Sequence, residues 1–322
     1  MRGNYISRRT FLRNAGSASV LSAAYASKPA GRAATPSKSM RLGGPVFVKS
    51  EDPGVLARAH RALGYRAAYT PEVSLKDKDR VQAIIKEFAA QDVTLAEVGA
   101  WVNLLDPDSE KHRKNLEYVT ERLALAEELG ARCCVDIAGS FNPDVWYGPH
   151  PDNLGPRFFD ATVENARKLI DAVKPQRTTF TLEMMGWSLP TGPDDYLKLI
   201  KAIDRKAFAV HLDVCNAVNS PARLYNNGAL IRECFAKLGP RIVSCHAKDL
   251  AWEVELQVHF KEVVPGRGGI DYQTYVQELA KLPVDAPLMI EHLKTAEEYT
   301  EGRQYIQRIA RELGLSFGSD GA

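Results

Sequence analysis

Four ionisable residues stand where apolar runs stop. Thr179-Phe180-Thr181-Leu182 runs into Glu183, Phe208-Ala209-Val210-His211-Leu212 into Asp213, Ile242-Val243-Ser244-Cys245 into His246, and Leu288-Met289-Ile290 into Glu291. One such residue marks only the point where solvation begins. Four in succession, three carboxylates and an imidazole, are hard to explain that way. Brought within a few ångströms of one another, three carboxylates would repel by several kcal/mol and force one to stay protonated. A divalent cation removes that conflict. Three oxygen donors and one nitrogen, with no thiolate, suit Mn²⁺, Mg²⁺ or Co²⁺ better than Zn²⁺. Four protein ligands on an octahedral ion leave two positions for adjacent oxygens of a sugar.

The elements that must carry these residues alternate along the chain. Eight short apolar runs read as strands: 45–48, 66–69, 95–98, 133–138, 179–182, 208–212, 242–245 and 288–290. Between them lie segments of helical period at 53–63, 78–90, 115–129, 157–173, 194–203, 227–238, 272–282 and 296–313. In the third, Leu116, Val119, Leu123 and Ala126 recur on one face before Gly130 stops the helix. Pro193 fits a helical first turn. Eight strand-helix units in roughly 280 residues fit a single-domain (β/α)8 TIM barrel over residues 40–316 better than an open doubly wound sheet. No Gly-x-Gly-x-x-Gly follows the first strand, which weakens a dinucleotide site. Two long connections, 139–156 and 249–269, follow strands and are expected over the C-terminal mouth of the barrel. Trp146 and His150 belong to the first of them and read as parts of a lid.

With these motifs in place, the chain resembles the xylose isomerase-like TIM barrels, and is similar in particular to the ketose 3-epimerases and inosose dehydratases. His211-Leu212-Asp213, His246-Ala247-Lys248-Asp249 and Pro265-Gly266-Arg267-Gly268-Gly269-Ile270-Asp271 carry the resemblance, which covers roughly residues 41–314. It implies one divalent metal held by Glu183, Asp213, His246 and Glu291. It also implies that Glu183 and Glu291 move a proton next to a substrate carbonyl while the metal steadies the resulting enediolate. The family often places an arginine at Arg267 to hold a substrate oxygen; a solvated loop arginine is the alternative. Where the ketose 3-epimerases have a second substrate-binding histidine three positions past the metal-binding Asp, this chain has Asn216, which hydrogen-bonds but does not titrate near neutrality. Lys248 shares a strand face with His246 and either stabilises an oxyanion or pairs with a carboxylate. His211 faces the barrel interior as a core histidine or a substrate contact, and Glu97, with Trp101 and Asn103 beyond it, lines the pocket or satisfies the core.

The N-terminus reads as an address. Ser7-Arg8-Arg9-Thr10-Phe11-Leu12 resembles a twin-arginine export signal, and Ala24-Tyr25-Ala26 a cleavage site. Residues 1–26 are then a signal peptide, 27–39 a flexible linker and 317–322 a tail; the resemblance implies the twin-arginine machinery as a partner and a periplasmic or otherwise exported destination. The apolar stretch is too short to span a bilayer. Five scattered cysteines without a Cys-x-x-Cys pair read as buried thiols. The 322 residues carry 42 Lys plus Arg against 40 Asp plus Glu, and removing Arg2, Arg8, Arg9 and Arg13 turns the formal charge from +2 to −2. That balance gives no footprint for nucleic acid and argues against an abasic-site endonuclease, as do only seven histidines.

The leading expectation is a metal-dependent isomerase or epimerase of a non-phosphorylated keto-sugar or keto-glycoside, since phosphorylated sugars are scarce outside the cytoplasm. A lyase or dehydratase acting on a 3-keto-glycoside or inosose could use the same apparatus. A non-catalytic sugar-binding protein is the alternative from another class. Relatives of this kind often form homodimers or homotetramers.

Overall fold

The computed structural model describes residues 40–318. The expected signal peptide and linker, and residues 319–322 of the expected tail, lie outside the described residues. Strands β1 (Leu42–Gly43), β2 (Ala67–Tyr69), β3 (Thr94–Gly99), β4 (Cys133–Asp136), β5 (Phe180–Glu183), β6 (Phe208–Asp213), β7 (Ile242–Ala247) and β10 (Leu288–Ile290) close into one parallel barrel. β8 (Asp249–Trp252) and β9 (Phe260–Val263) form a separate antiparallel hairpin. The helices are α1 (Pro53–Ala62), α2 (Lys78–Ala90), α3 (Ser109–Leu129), α4 (Pro156–Val173), α5 (Pro193–Ile203), α6 (Val214–Ala217), α7 (Pro221–Tyr225), α8 (Asn227–Leu238), α9 (Tyr272–Ala280) and α10 (Ala296–Glu312). The expected TIM barrel is therefore the observed one. Among the described residues no helix is long and apolar enough to cross a membrane.

Strands buried on both faces explain the apolar runs: every residue of β4, β5, β6 and β10 is buried. Helices cover the outside, with Leu123 and Ala126 of α3, Leu169 of α4 and Leu199 of α5 all at or near zero exposure. Gly130 ends α3 in the left-handed region at φ 67°, and Pro193 opens α5. All five cysteines are free and buried, and burial pushes the Cys234 and Cys245 thiols up to about 12.

Three elements differ from expectation. The first strand is Leu42–Gly43 and not 45–48; Pro45 has no N–H for a ladder, and Phe47 and Val48 are 55% and 44% exposed. A Cβ at Gly43 would lie 2.6 Å from the Ala67 carbonyl oxygen, so the barrel closes here only on a glycine. Helix α3 begins at Ser109, two turns before its apolar period, because Asp108 caps it by accepting from the Glu110 and Lys111 N–H groups at 2.9 Å. The 249–269 connection is built and not irregular: Trp252 pairs with Phe260 across the hairpin, their rings 5.4 Å apart.

Candidate metal centre and active site

The four strand-end residues meet at the C-terminal mouth. Glu183 and Asp213 are the last residues of β5 and β6, His246 is the penultimate residue of β7, and Glu291 directly follows β10; these four strands are neighbours in the barrel. The helix side holds them at one height. The Tyr196 hydroxyl of α5 donates to the Leu182 carbonyl at 2.6 Å and accepts from the His211 N–H at 3.3 Å, fixing the backbone just ahead of Glu183 and Asp213. One ligand atom from each of the four lies within 4.8 Å of the others. His246 Nδ1 is 3.0 Å from Glu183 Oε1, 2.7 Å from Glu291 Oε1 and 3.7 Å from Asp213 Oδ2.

A second carboxylate orients the imidazole from behind. Glu97, fully buried on β3, is an acceptor only, so His246 Nε2–H donates to Glu97 Oε2 at 3.1 Å and Nδ1 faces the three carboxylates. Glu97 Oε1 also accepts from His211 Nε2 at 3.0 Å and from the Ser244 hydroxyl. Burial alone would push the Glu97 carboxyl up, but the His246 and His211 imidazoles hold it well below the usual carboxylate range.

The three mouth carboxylates are not satisfied in the same way. Lys248 Nζ stands 2.6 Å from Glu291 Oε1, 2.9 Å from Asp213 Oδ2 and 3.4 Å from Glu183 Oε1. Yet Glu291 Oε1 and Asp213 Oδ2 are buried with no donor in hydrogen-bond geometry. Burial raises the Glu183 carboxyl and outweighs Lys248 and His246. At Asp213 and Glu291 burial is overcome, by Lys248 first at Asp213 and by His246 first at Glu291, which sits at about 2. Against desolvation, the surrounding carboxylates hold His246 and Lys248 charged. Three carboxylates against two side-chain cations leave net negative charge in a buried place. Convergent carboxylate oxygens, plus an imidazole oriented by a carboxylate, are the donor set that a divalent cation takes.

Asn216 joins this cluster. On α6 its N–H reaches Asp213 Oδ1 at 2.9 Å, its side chain donates to Glu183 Oε1 at 3.0 Å, and its Oδ1 lies 3.3 Å from Lys248 Nζ. Glu183, Glu291, Lys248 and Asn216 open onto a cavity of about 560 Å³, with Trp146 on its wall. His211 and Glu97 lie beneath it, fully buried, in the core role that sequence left open.

Two expected substrate contacts lie elsewhere. Arg267 is 56% exposed and pairs through Nε and Nη2 with Glu301 at 2.7 and 2.6 Å. Its turn is conformationally demanding for a structural reason. Asp249 accepts from the Leu250, Gly266, Gly268 and Ile270 N–H groups, and a Cβ at Gly268 would come 2.3 Å from Asp249 Oδ1. His150 caps a short 3₁₀ turn, its Nδ1 accepting from the Asp152 N–H at 3.2 Å, and its ring packs edge-on against Phe141 6.1 Å away.

Sequence reasoning misses several residues. Asp136 closes β4 as the other four close theirs, but a reading of 133–138 as one apolar run absorbs it. It is fully buried, Oδ1 accepts from the Ile137 and Val102 N–H groups, Oδ2 has no partner, and burial pushes its carboxyl well up. Ser244 sits two residues before His246 on the same strand face, a spacing that could have flagged it. Tyr69 at the end of β2, Glu262 in β9, and Trp187 and His292 in connections also line the cavity; Tyr69 alone carries a signal, as the residue that closes its apolar run.

Residues 57–309 match the family of xylose isomerase-like TIM barrels, and the chain belongs to that family. A xylose isomerase-like TIM barrel protein from Mycobacterium smegmatis, solved in complex with magnesium, is 20% identical, with a TM-score of 0.60 over 84% of this chain and 96% of that one. D-psicose 3-epimerase from Clostridium cellulolyticum, solved with D-tagatose, is 15% identical, with a TM-score of 0.61 over 86% and 100%. Endonuclease IV from Thermus thermophilus is also 15% identical, with a TM-score of 0.62 over 84% and 99%. At such identities the likeness is one of fold. No curated protein sequence matches the chain.

Proposed function

We propose that this barrel is a divalent-metal-dependent isomerase or epimerase that moves a proton beside the carbonyl of a non-phosphorylated keto-sugar or keto-glycoside. The observation that carries the reading is the meeting of Glu183, Asp213, His246 and Glu291 from four neighbouring strands, three carboxylates and an imidazole converging in a buried place. These four residues would hold the ion, and Mn²⁺, Mg²⁺ or Co²⁺ suits their oxygen-rich set. When bound, such an ion polarises a carbonyl oxygen and so acidifies the neighbouring carbon.

The rest falls to the chain. Glu183 and Glu291 both line the cavity, so one can take the proton and the other return one. Lys248 and Asn216 fix the Glu183 carboxylate from the same side. The charged residues lining the cavity are Glu183, Glu262, Glu291, Lys248 and His292; Lys248 is committed to carboxylates and no arginine is among them, which supports a neutral substrate over a sugar phosphate. Export through the twin-arginine route, suggested by residues 7–12, belongs to the same proposal.

A second reading is elimination from the same substrate, favoured by His292. It lines the cavity, its Nδ1 lies 2.9 Å from Glu262, and that hydrogen bond raises its protonation range, so it can donate to a departing oxygen. Incubating the metal-loaded protein with a keto-sugar panel in D₂O tests both. Deuterium gain at constant formula is expected; loss of water or an aglycone would transfer the assignment to the lyase. No exchange and no product at full metal occupancy would end both readings.

A further inference from the structure

The cavity has one apolar side that the proposed chemistry does not use. Trp101 follows β3, Trp146 and Tyr147 lie in the connection after β4, and Trp187 lies in the connection after β5. All four line the cavity and are 42%, 39%, 45% and 41% exposed, with Ile137 and Met185 below them. Scattered surface aromatics need no explanation, but four half-exposed rings lining one cavity, three of them in mutual contact, mark a recognition surface. The rings are also held in place. The Trp187 indole N–H donates to the Tyr147 carbonyl at 2.6 Å, Trp146 meets Tyr147 edge-on at 5.2 Å, and the Trp101 indole covers Gly99, where a Cβ would come within 2.4 Å of Nε1. Rings fixed before the ligand arrives lose little freedom on binding.

Size points the same way. At the roughly 30 Å³ that a water molecule takes up in the liquid, a generous allowance for a bonded atom, the twelve non-hydrogen atoms of a hexose fill about 360 Å³. The cavity holds about 560 Å³, so room remains beyond one ring.

We propose that the ligand is a glycoside of two units, resting on the sugar-site reading above. One sugar ring reaches Glu183 and Glu291, and a second ring with an apolar face stacks on Trp101, Trp146, Tyr147 and Trp187. An aryl aglycone and a second pyranose offer that same flat C–H or π surface.

Calorimetric titration of the full, Mn²⁺-loaded chain with probes that differ only in the second unit tests this. Methyl and phenyl β-glucosides and β-galactosides, with cellobiose and lactose, form the set. A two-ring probe is expected to bind about tenfold more tightly than its methyl counterpart. That preference should fall below about threefold in Trp146→Ala or Trp187→Ala and be largely kept in Trp187→Phe, with circular dichroism confirming the fold of each. Phenyl against disaccharide affinity then tells which second unit the collar takes. Equal affinity for methyl and two-ring probes, no saturable binding of any two-ring probe, or a preference that survives both alanine variants overturns the inference. Binding needs no turnover, so the two readings fail separately. A two-ring preference without deuterium exchange leaves the collar and removes the proposed reaction, while exchange without the preference does the reverse.

Discussion

Two groups of histidine and carboxylate in this chain use the same donor types and differ in almost everything else. Glu183, Asp213, His246 and Glu291 are held at the ends of four barrel strands, buried, with the Lys248 ammonium shared among their carboxylates. Glu253, Glu255 and His259 also come within 4.8 Å of one another, but they lie between the two strands of the β8–β9 hairpin, in water. There His259 pairs with Glu253 at 3.1 Å, Lys261 with Glu253 at 3.1 Å, and the His259 side chain is 54% exposed. Residue type makes neither group a metal site. What separates them is who bears the cost of gathering the charges. On the hairpin, water screens the carboxylates, and His259 and Lys261 pair with them in the open. In the barrel, strand geometry forces like charges together out of water, and only cations relieve it.

The largest effect that sharpens this contrast belongs to the proton-moving pair. Glu183→Gln or Glu291→Gln should lower the deuterium-exchange rate by about 10²–10⁴-fold. A variant retaining near-normal exchange would remove that glutamate from the chemistry. Next comes the residue behind the imidazole. Glu97→Gln leaves the donor set intact but cannot accept from His246, His211 and Ser244 together, so Mn²⁺ affinity by titration calorimetry should fall about 10- to 100-fold. An unchanged affinity would mean that His246 is oriented by packing alone.

A smaller effect concerns buried charge away from the mouth. His60 of α1 packs against Phe88, and burial lowers its protonation range below 6.5 while the Leu56 carbonyl accepts from Nδ1 at 2.8 Å. The fold therefore holds the neutral ring and unfolding takes up a proton. Its contribution is whole above pH 6.5 and is lost as the pH falls through the lowered value. Thermal midpoints measured from neutral to mildly acidic pH should fall less steeply in His60→Met than in the native chain. The smallest effect is none: His259→Ala with Glu253→Gln should leave bound metal per chain, by elemental analysis, unchanged. A lost equivalent would place the ion on the hairpin and break the comparison.

How much of this is legible before folding follows the same division. Glu183, Asp213, His246 and Glu291 are readable because strand ends of a barrel share one rim, so an ordinal position along the chain becomes a place in space. Asp136 obeys the same rule and escapes it only because Ile137 and Ala138 prolong the apolar run past the strand. The first strand is misplaced since two residues carry no periodicity. Arg267 sits away from the cavity because the Pro265–Asp271 motif encodes a turn organised by Asp249, which draws backbone N–H groups inward while the arginine pairs with Glu301. The aromatic collar is invisible because its members come from connections whose approach depends on the whole barrel.

The brevity of β1 has a mechanical consequence. The barrel is closed by two residues, with Leu42 and Gly43 facing Leu288 and Met289 on one side and Gly43 alone facing Ala67 on the other. A closed sheet comes apart first along its shortest run of shared bonds, so amide exchange should be fastest at this junction. Glu291 stands one residue past β10, beside that junction. An ion gripping Glu291 together with Asp213 and His246 would tie β10 to β7 and β6 and so steady one wall of that junction, and exchange at residues 42–43 would slow on metal addition.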